Sequence, residues 1–138
     1  MTMKLHLSFK VDDLEKSTQF YSHLFAQEPA VVRDDYVKWD VDNPPVNFVI
    51  EKCEDGNHGF DHMGIEAGNG EELQALAARM RDSGRKFADL ESAHCCYARS
   101  EKAWVEGMAQ EPWEAFLTHS HDDTSYGDDS NPLDRLQA

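Results

Sequence analysis

One arrangement of secondary structure is predicted twice along this chain of 138 residues, and this duplication limits the folds that it can adopt. Residues 4–11 alternate polar and apolar side chains, as a half-buried strand does. A helix then runs to about Phe25, and three short strands follow. The same order begins again at Phe60, so that the period is about 56 residues. The chain is therefore predicted to be strand, helix and three strands, twice over.

The boundaries of these elements follow from turn residues and helical spacing. Asp12 and Glu15 resemble an acidic capping box at the start of the first helix, and Gly84 is suited to the end of the second. The second helix opens at Gly70, and its apolar residues are Leu73, Leu76, Ala77 and Met80. The remaining predicted strands are Ala30–Arg33, Tyr36–Val41, Val46–Glu51, Phe60–Ala67, Lys86–Ala88, Cys95–Ala98, Ala103–Val105 and Trp113–Thr118.

Composition excludes some classes of partner. The 13 basic and 27 acidic residues give a net charge of −14, which argues against nucleic acid or an anionic membrane as the main partner. No run approaches the roughly 20 apolar residues of a transmembrane helix, and the first residues lack the apolar core of a signal peptide. We therefore expect a cytoplasmic protein with one domain over residues 1–138. Its first module spans about 4–53, its second about 60–118, and a polar, mobile tail about 120–138.

Cys95 and Cys96 stand side by side, and Cys53 is the third cysteine. An odd number of cysteines does not suit a disulfide framework, and a bridge between neighbours would constrain almost none of the unfolded chain. Two adjacent thiolates can instead grip a soft, thiophilic atom. The alternative is that both are small buried hydrophobic residues, as free cysteines often are. A function for this pair would concern a soft metal, a metalloid or redox chemistry.

The duplicated plan, over about residues 4–118, resembles the vicinal oxygen chelate superfamily, which includes glyoxalase I, extradiol dioxygenases, fosfomycin-resistance enzymes and bleomycin-binding proteins. The resemblance implies an α+β fold in which two βαβββ modules form an incomplete barrel-like sheet around a metal cleft. Metal ligands lie on the first and last strands of the modules in that fold. His6, His62 and Glu114 occupy these positions.

Two imidazoles and one carboxylate suit a divalent ion that keeps open coordination sites, such as non-haem Fe(II). His62 stands at the point of the second repeat that His6 occupies in the first. The alternatives are that each histidine is a surface or satisfied core residue, and that Glu114 faces solvent by alternation along its strand. His119 and His121 could also hold a soft transition metal, but a solvated tail is the simpler explanation and the one that we favour.

Several motifs narrow the resemblance to one branch of the superfamily. The run CCYARSEKAW at residues 95–104 and the run WEAF at 113–116 are similar to the enzymes that cleave carbon–arsenic bonds and to the related cadmium-induced proteins. HLSFKVDDL at 6–14, FYSHLF at 20–25 and DHMGI at 61–65 fit the same branch. The resemblance implies an Fe(II)-dependent dioxygenase that converts trivalent organoarsenicals, such as methylarsenite and reduced aromatic arsenicals, to arsenite. It implies that Cys95 and Cys96 bind arsenic, that His6, His62 and Glu114 bind Fe(II), and that dioxygen is the co-substrate.

Two other functions stay open at this point. A non-catalytic protein could sequester arsenic or cadmium with the same thiols, or a different enzyme of the superfamily could act as an isomerase or thiol transferase. Adjacent side chains of a regular strand point to opposite faces, so a shared arsenic atom predicts irregular backbone at residues 94–97. The loop around residues 94–104 is expected to move on arsenic binding, and a homodimer is expected because dimers are common in the superfamily.

Overall fold

The computed structural model describes residues 3–95 and 98–121, with the backbone alone at 92–95, 98–100 and 119–121. The elements of this part of the chain are β1 (Lys4–Val11), α1 (Leu14–Phe25), β2 (Val31–Val32), β3 (Tyr36–Asp42), β4 (Pro45–Lys52), β5 (Gly59–Glu66), α2 (Gly70–Asp82), β6 (Phe87–Cys95), β7 (Ala98–Glu106) and β8 (Pro112–His121). Each half contains one strand, one helix and three strands, as predicted. The tail from residue 122 onward, predicted to be mobile, lies outside the described residues.

The chain divides into two compact units, Lys4–Met63 and the residues from Gly64 onward, and the division falls inside β5. In the first unit the strands form an open, mixed sheet in the order β2-β3-β4-β1. β1 runs parallel to β4, and β3 is antiparallel to both of its neighbours. Alternate residues of β1, β3 and β4 pack beneath α1 and form an apolar core: Leu7, Phe9, Val11, Val37, Trp39, Val41, Val46, Phe48 and Ile50.

Helix α1 starts one residue later than the predicted capping box places it. The N-cap is Asp13, whose carboxylate accepts a hydrogen bond from the Lys16 amide at 2.9 Å. Leu14, the first helical residue, packs against the core, and this fixes where the helix begins. Asp12 lies instead 3.2 Å from Nδ1 of His58. The assignment of the cap to Asp12 is therefore wrong.

The second unit contains the antiparallel strands β8-β7-β6, with α2 packed on them. Asn69 caps α2, and the four apolar residues at the predicted helical spacing are its buried face. The helix ends at Ser83, and Gly84 beyond it has a φ of +78°, which favours glycine. Within the described part of the chain, neither helix is long and apolar enough to cross a membrane.

The prediction of a separate strand at Cys95–Ala98 is wrong. Cys95 ends β6 and Ala98 begins β7, and these two residues pair with each other across the antiparallel strands. β6 is also longer than the predicted Lys86–Ala88, because a shift of register between Ala88 and Glu91 interrupts the alternation of side chains on which that prediction relied. The irregular backbone expected at residues 94–97 stays a prediction, because residues 96 and 97 lie outside the described residues, while His94 and Cys95 pair regularly with β7.

Candidate metal centre

The sheet of the first unit has a second face, opposite α1, that we call the polar face. Side chains alternate along a strand, so the residues between the core positions belong to it: His6, Ser8 and Lys10 of β1, Asn47, Val49 and Glu51 of β4, and Tyr36, Lys38 and Asp40 of β3. Five of these polar side chains are buried: His6, Ser8, Lys38, Asn47 and Glu51. Buried polar groups are costly without partners, so this face requires internal hydrogen bonds or a ligand.

His6 of β1 and His62 of β5 face each other within the first unit. Their Nε2 atoms are 3.1 Å apart, and their ring centroids are 5.0 Å apart. His6 is 6% exposed, and the His62 side chain is 15% exposed. The structure therefore brings together the two histidines that the repeat placed at equivalent positions. Neither is a surface residue.

The Nδ1 atom of each imidazole has an oxygen acceptor. Nδ1 of His6 lies 3.2 Å from the backbone oxygen of Asn47 and 3.1 Å from its Oδ1. Nδ1 of His62 lies 2.7 Å from Oδ2 of Asp61. Carbonyl and carboxylate oxygens accept hydrogen bonds, so the tautomer with its proton on Nδ1 satisfies each of these contacts and leaves the lone pair of Nε2 for a ligand.

In that tautomer the two Nε2 atoms, 3.1 Å apart, both offer a lone pair to a shared cation, and the same distance also suits a hydrogen bond from one protonated Nε2 to the other. This separation is compatible with two imidazole nitrogens that each bind one divalent ion at about 2.0–2.1 Å. Histidines that bind metals commonly donate their other N–H to a carboxylate or a backbone carbonyl, which fixes the ring orientation. Both rings have such a partner. The donor atoms of the pair therefore fit a divalent transition metal.

Glu114 of β8 lies in the second unit and is 3% exposed, so the alternative that it faces solvent is wrong. Its Oε2 accepts a hydrogen bond from Nζ of Lys102 on β7 at 2.7 Å. That ammonium also lies 5.7 Å from the centroid of the Phe116 ring. The backbone of Glu114 lies against Gly64, where a Cβ would be 2.3 Å from the Glu114 carbonyl oxygen. The ammonium of Lys102 thus holds the carboxylate of Glu114, and Gly64 packs closely against the Glu114 backbone.

The predicted arsenic ligands are not placed by the structure. Cys95 ends β6, but its side chain is not among those described, and Cys96 lies outside the described residues. The side chains of His119 and His121 are likewise not described. Cys53 is a free, half-buried thiol whose Sγ lies 3.8 Å from Oδ1 of Asp55. The role of the vicinal thiols stays a prediction.

Sequence reasoning missed the residues that orient the two histidines. Asp61 directly precedes His62, and a carboxylate beside a candidate metal ligand is a signal that could have been used. Asn47 gives no such signal. It is 41 positions from His6, and only the parallel register of β1 with β4 brings the two together.

No protein-family model matches the chain. Among known proteins it is 36% identical, over 129 residues, to the trivalent organoarsenical cleaving enzyme of Thermomonospora curvata, and the alignment covers 92% of this chain and 85% of that protein. The chain belongs to this enzyme family. It is also 31% identical, over 137 residues, to the cadmium-induced protein CadI of Mycobacterium tuberculosis, with 92% of this chain and 90% of that protein covered. The family resemblance seen in the motifs is therefore confirmed.

Solved structures show the fold of this family member. A glyoxalase/bleomycin resistance protein/dioxygenase superfamily member from Vibrio splendidus has a TM-score of 0.58 at 16% identity, with 84% of this chain and 99% of that chain covered. An extradiol ring-cleaving dioxygenase from B. fuscum has a TM-score of 0.63 at 17% identity, with 86% of this chain and 33% of that chain covered. At such identities the likeness concerns the fold alone. It confirms the α+β vicinal oxygen chelate fold with two βαβββ modules.

Proposed function

We propose that this protein is a non-haem Fe(II)-dependent dioxygenase that cleaves the carbon–arsenic bond of trivalent organoarsenicals and releases arsenite. The observation that carries the proposal is the His6–His62 pair, with both Nε2 atoms 3.1 Å apart and both Nδ1 atoms held by oxygen acceptors, in a chain that is 36% identical to a trivalent organoarsenical cleaving enzyme. The pair supports a metal-dependent reaction, and the relative supports its substrate class.

The proposed iron ligands are His6, His62 and Glu114, each of which offers one ligand atom. Two imidazoles with one carboxylate are the donor set of many non-haem Fe(II) oxygenases. Lys102 donates a hydrogen bond to Oε2 of Glu114, which orients the carboxylate, and this carboxylate would give the metal its anionic ligand. Fe(II) bound there would supply the one-electron chemistry that dioxygen needs in order to react. The protein's contribution is to orient the three donor groups.

The proposed arsenic ligands are Cys95 and Cys96. Arsenic(III) is soft and prefers thiolate, whereas Fe(II) accepts imidazole and carboxylate, so the two sites differ in the atom that they select. Holding arsenic through its sulfur ligands would present its organic group to the iron site in one orientation. For methylarsenite the atoms balance without a reductant: methylarsenous acid and dioxygen give formaldehyde and arsenous acid. One oxygen atom goes to carbon and the other to arsenic.

A second candidate function is sequestration without turnover. The observation that favours it is the 31% identity to a protein named for its induction by cadmium, a soft ion that thiolates bind well. Sequestration requires Cys95 and Cys96 but not Glu114. Cytoplasmic location and homodimer formation, both predicted above, remain proposals under either function.

The test reconstitutes the protein with Fe(II) without air, adds methylarsenite and air, and follows arsenic speciation over time. The proposed enzyme releases arsenite only when both iron and dioxygen are present. Glu114→Ala should abolish release while arsenic binding persists, and Cys95→Ser or Cys96→Ser should abolish binding. Cys53→Ser is the matched control, since it removes a thiol outside the vicinal pair.

Each alternative predicts a different pattern. Tight methylarsenite binding without release, at any metal loading, would leave a sequestering protein. Full cleavage by both cysteine variants would refute the assignment of the arsenic ligands and favour another enzyme of the superfamily.

A further inference from the structure

Lys38 is a buried cation on the polar face of the first unit. It belongs to β3, is 9% exposed, and pairs in register with Val49 of β4. Among the side chains that the structure describes, its ammonium has no hydrogen-bond acceptor and no ion-pair partner. A buried charge is normally paired, because removing it from water is costly. Lys38 is therefore a buried cation without a partner in the part of the chain that the structure describes.

The neighbouring charges do not supply that partner. Lys10, on the same face, forms an ion pair with Glu51, whose side chain is 6% exposed. Asp40, two positions from Lys38, forms an ion pair with Lys4. The carboxylates of Glu51 and Asp40 therefore already have lysine partners, although the chain contains 27 acidic residues. Neither of these carboxylates balances the positive charge of Lys38 on the polar face.

Ser8 lies in the same cross-strand row as Lys38. Ser8 pairs with Val49 in the parallel β1–β4 register, and Val49 pairs with Lys38 in the antiparallel β3–β4 register, so all three side chains share the polar face. Ser8 is fully buried, and its hydroxyl has no hydrogen-bond partner among the described residues. Strands are about 4.8 Å apart, which places the two outer Cα atoms about 10 Å apart. A lysine stem can cover most of that distance.

We propose that Lys38 and Ser8 form a subsite for a carboxylate carried by the organic part of the substrate. An ammonium and a hydroxyl donor together match the two oxygens of a carboxylate, and the hydrogen bond from the ammonium is charge-assisted. Ser8 is two residues from His6 on the same face of β1, so the subsite adjoins the proposed iron site. This inference rests on the proposed function for the arsenic end of the substrate, but anion binding by Lys38 does not depend on arsenic.

The experiment uses the full chain and two kinds of probe. Calorimetry measures the binding of benzoate, which contains no arsenic. It then measures the trivalent forms of 4-carboxyphenylarsonic acid and phenylarsonic acid, which differ only in the carboxylate. The variants are Lys38→Met, which keeps the length of the side chain, Lys38→Arg, which keeps the charge, and Ser8→Ala. Lys52→Met is the matched control, because Lys52 is an exposed lysine at the end of β4. Metal content is measured for every variant.

We expect Lys38→Met to raise the Kd for benzoate and for the carboxylated arsenical at least about tenfold. Its Kd for phenylarsenite should stay unchanged. Lys38→Arg should retain most of the affinity, Ser8→Ala should lose a smaller part, and Lys52→Met should behave as the wild type. If Lys38→Met does not fold, the Lys38→Arg and Ser8→Ala variants carry the comparison.

Failure of the carboxylate subsite and failure of the proposed function give different results. Absence of benzoate binding by the wild type, or equal Kd values for wild type and Lys38→Met, would overturn the subsite and leave Lys38 as a lysine that reaches water along an apolar stem. Benzoate binding that depends on Lys38, in a protein that binds no arsenical, would uphold the subsite and reject the proposed function.

Discussion

Replacement of Asp61 by alanine tests whether the His62 imidazole is oriented for metal binding. Oδ2 of Asp61 accepts a hydrogen bond from Nδ1 of His62 at 2.7 Å, and the His62 side chain is only 15% exposed. A hydrogen bond to a charged group contributes about 1.5–3 kcal/mol. Loss of such a partner typically weakens metal binding 10- to 100-fold, about 1.4–2.8 kcal/mol. We therefore expect Asp61→Ala to weaken divalent metal binding by about that factor.

His6 provides an internal comparison, because its Nδ1 has two acceptors from one residue. Asn47→Ala removes Oδ1 at 3.1 Å but leaves the backbone oxygen at 3.2 Å. The ring then keeps a partner that fixes its tautomer. We expect the affinity for the metal to fall only about threefold or less. The structure thus predicts unequal effects for two substitutions that each remove one oxygen partner of a histidine.

The assay is titration with Co(II), followed by its visible absorbance and by competition with a chelator of known affinity. Anaerobic Fe(II) titrations of the same variants follow. Asp34→Ala is the control for loss of one negative charge, since Asp34 is exposed and lies between β2 and β3. Wild-type affinity in Asp61→Ala, or an equal loss in Asn47→Ala, would refute the reasoning about ring orientation.

Three predictions concern stability and can be measured by urea denaturation. Gly64→Ala should destabilise the protein by about 1–3 kcal/mol, because its Cβ would lie 2.3 Å from a carbonyl oxygen of β8. Gly70→Ala is the control and should not destabilise it, because nothing lies within 4 Å of the new Cβ. Equal effects of the two substitutions would contradict this prediction. Asp13→Ala should lower the free energy of unfolding by about 0.5–2 kcal/mol, because it removes the N-cap of α1. An unchanged urea midpoint would show that Asp13 does not stabilise the helix as its N-cap. The hydrogen bond with Asp40 raises the pKa of Lys4 above its usual 10.5. The contribution of Lys4 to stability is therefore fully present below pH 10.5 and is lost as the pH rises through the pKa of the folded state. Lys4→Met should lack this loss of stability at alkaline pH, and identical stability profiles for the variant and the wild type would refute the prediction.

Helices were the elements most readily predicted from sequence. The spacing of Leu73, Leu76, Ala77 and Met80 places one apolar face on α2, and all four are buried. The region from residue 86 to residue 106 was less predictable. β6 and β7 carry charged residues along their length and change register between Ala88 and Glu91, so alternation does not extend over either strand. Only the pairing of the two strands reveals where one ends and the next begins.

In the candidate site, too, some residues could be identified from the sequence alone, whereas others could be identified only from the pairing of strands. His6 and His62 could be found because the repeat places them at equivalent positions, and Glu114 because the family resemblance assigns it. Asn47 and Lys38 could not be found, since their significance depends on the strands beside them. β1 pairs with β4 and not with a strand near it in sequence, and no pattern within either strand encodes that choice.

The core of the first unit and its polar face depend on one register. Leu7, Phe9 and Val11 pack beneath α1, and the same alternation then places His6, Ser8 and Lys10 on the opposite face. A slip of β1 by one residue would bury the polar set beneath the helix and turn the apolar set away from it, so the core fixes the register strongly. The orientation of His6 toward His62 is in this sense a consequence of hydrophobic packing on the other side of the sheet. Substitutions in that core that preserve folding should therefore leave metal affinity unchanged, whereas any that alter the β1–β4 register should abolish it.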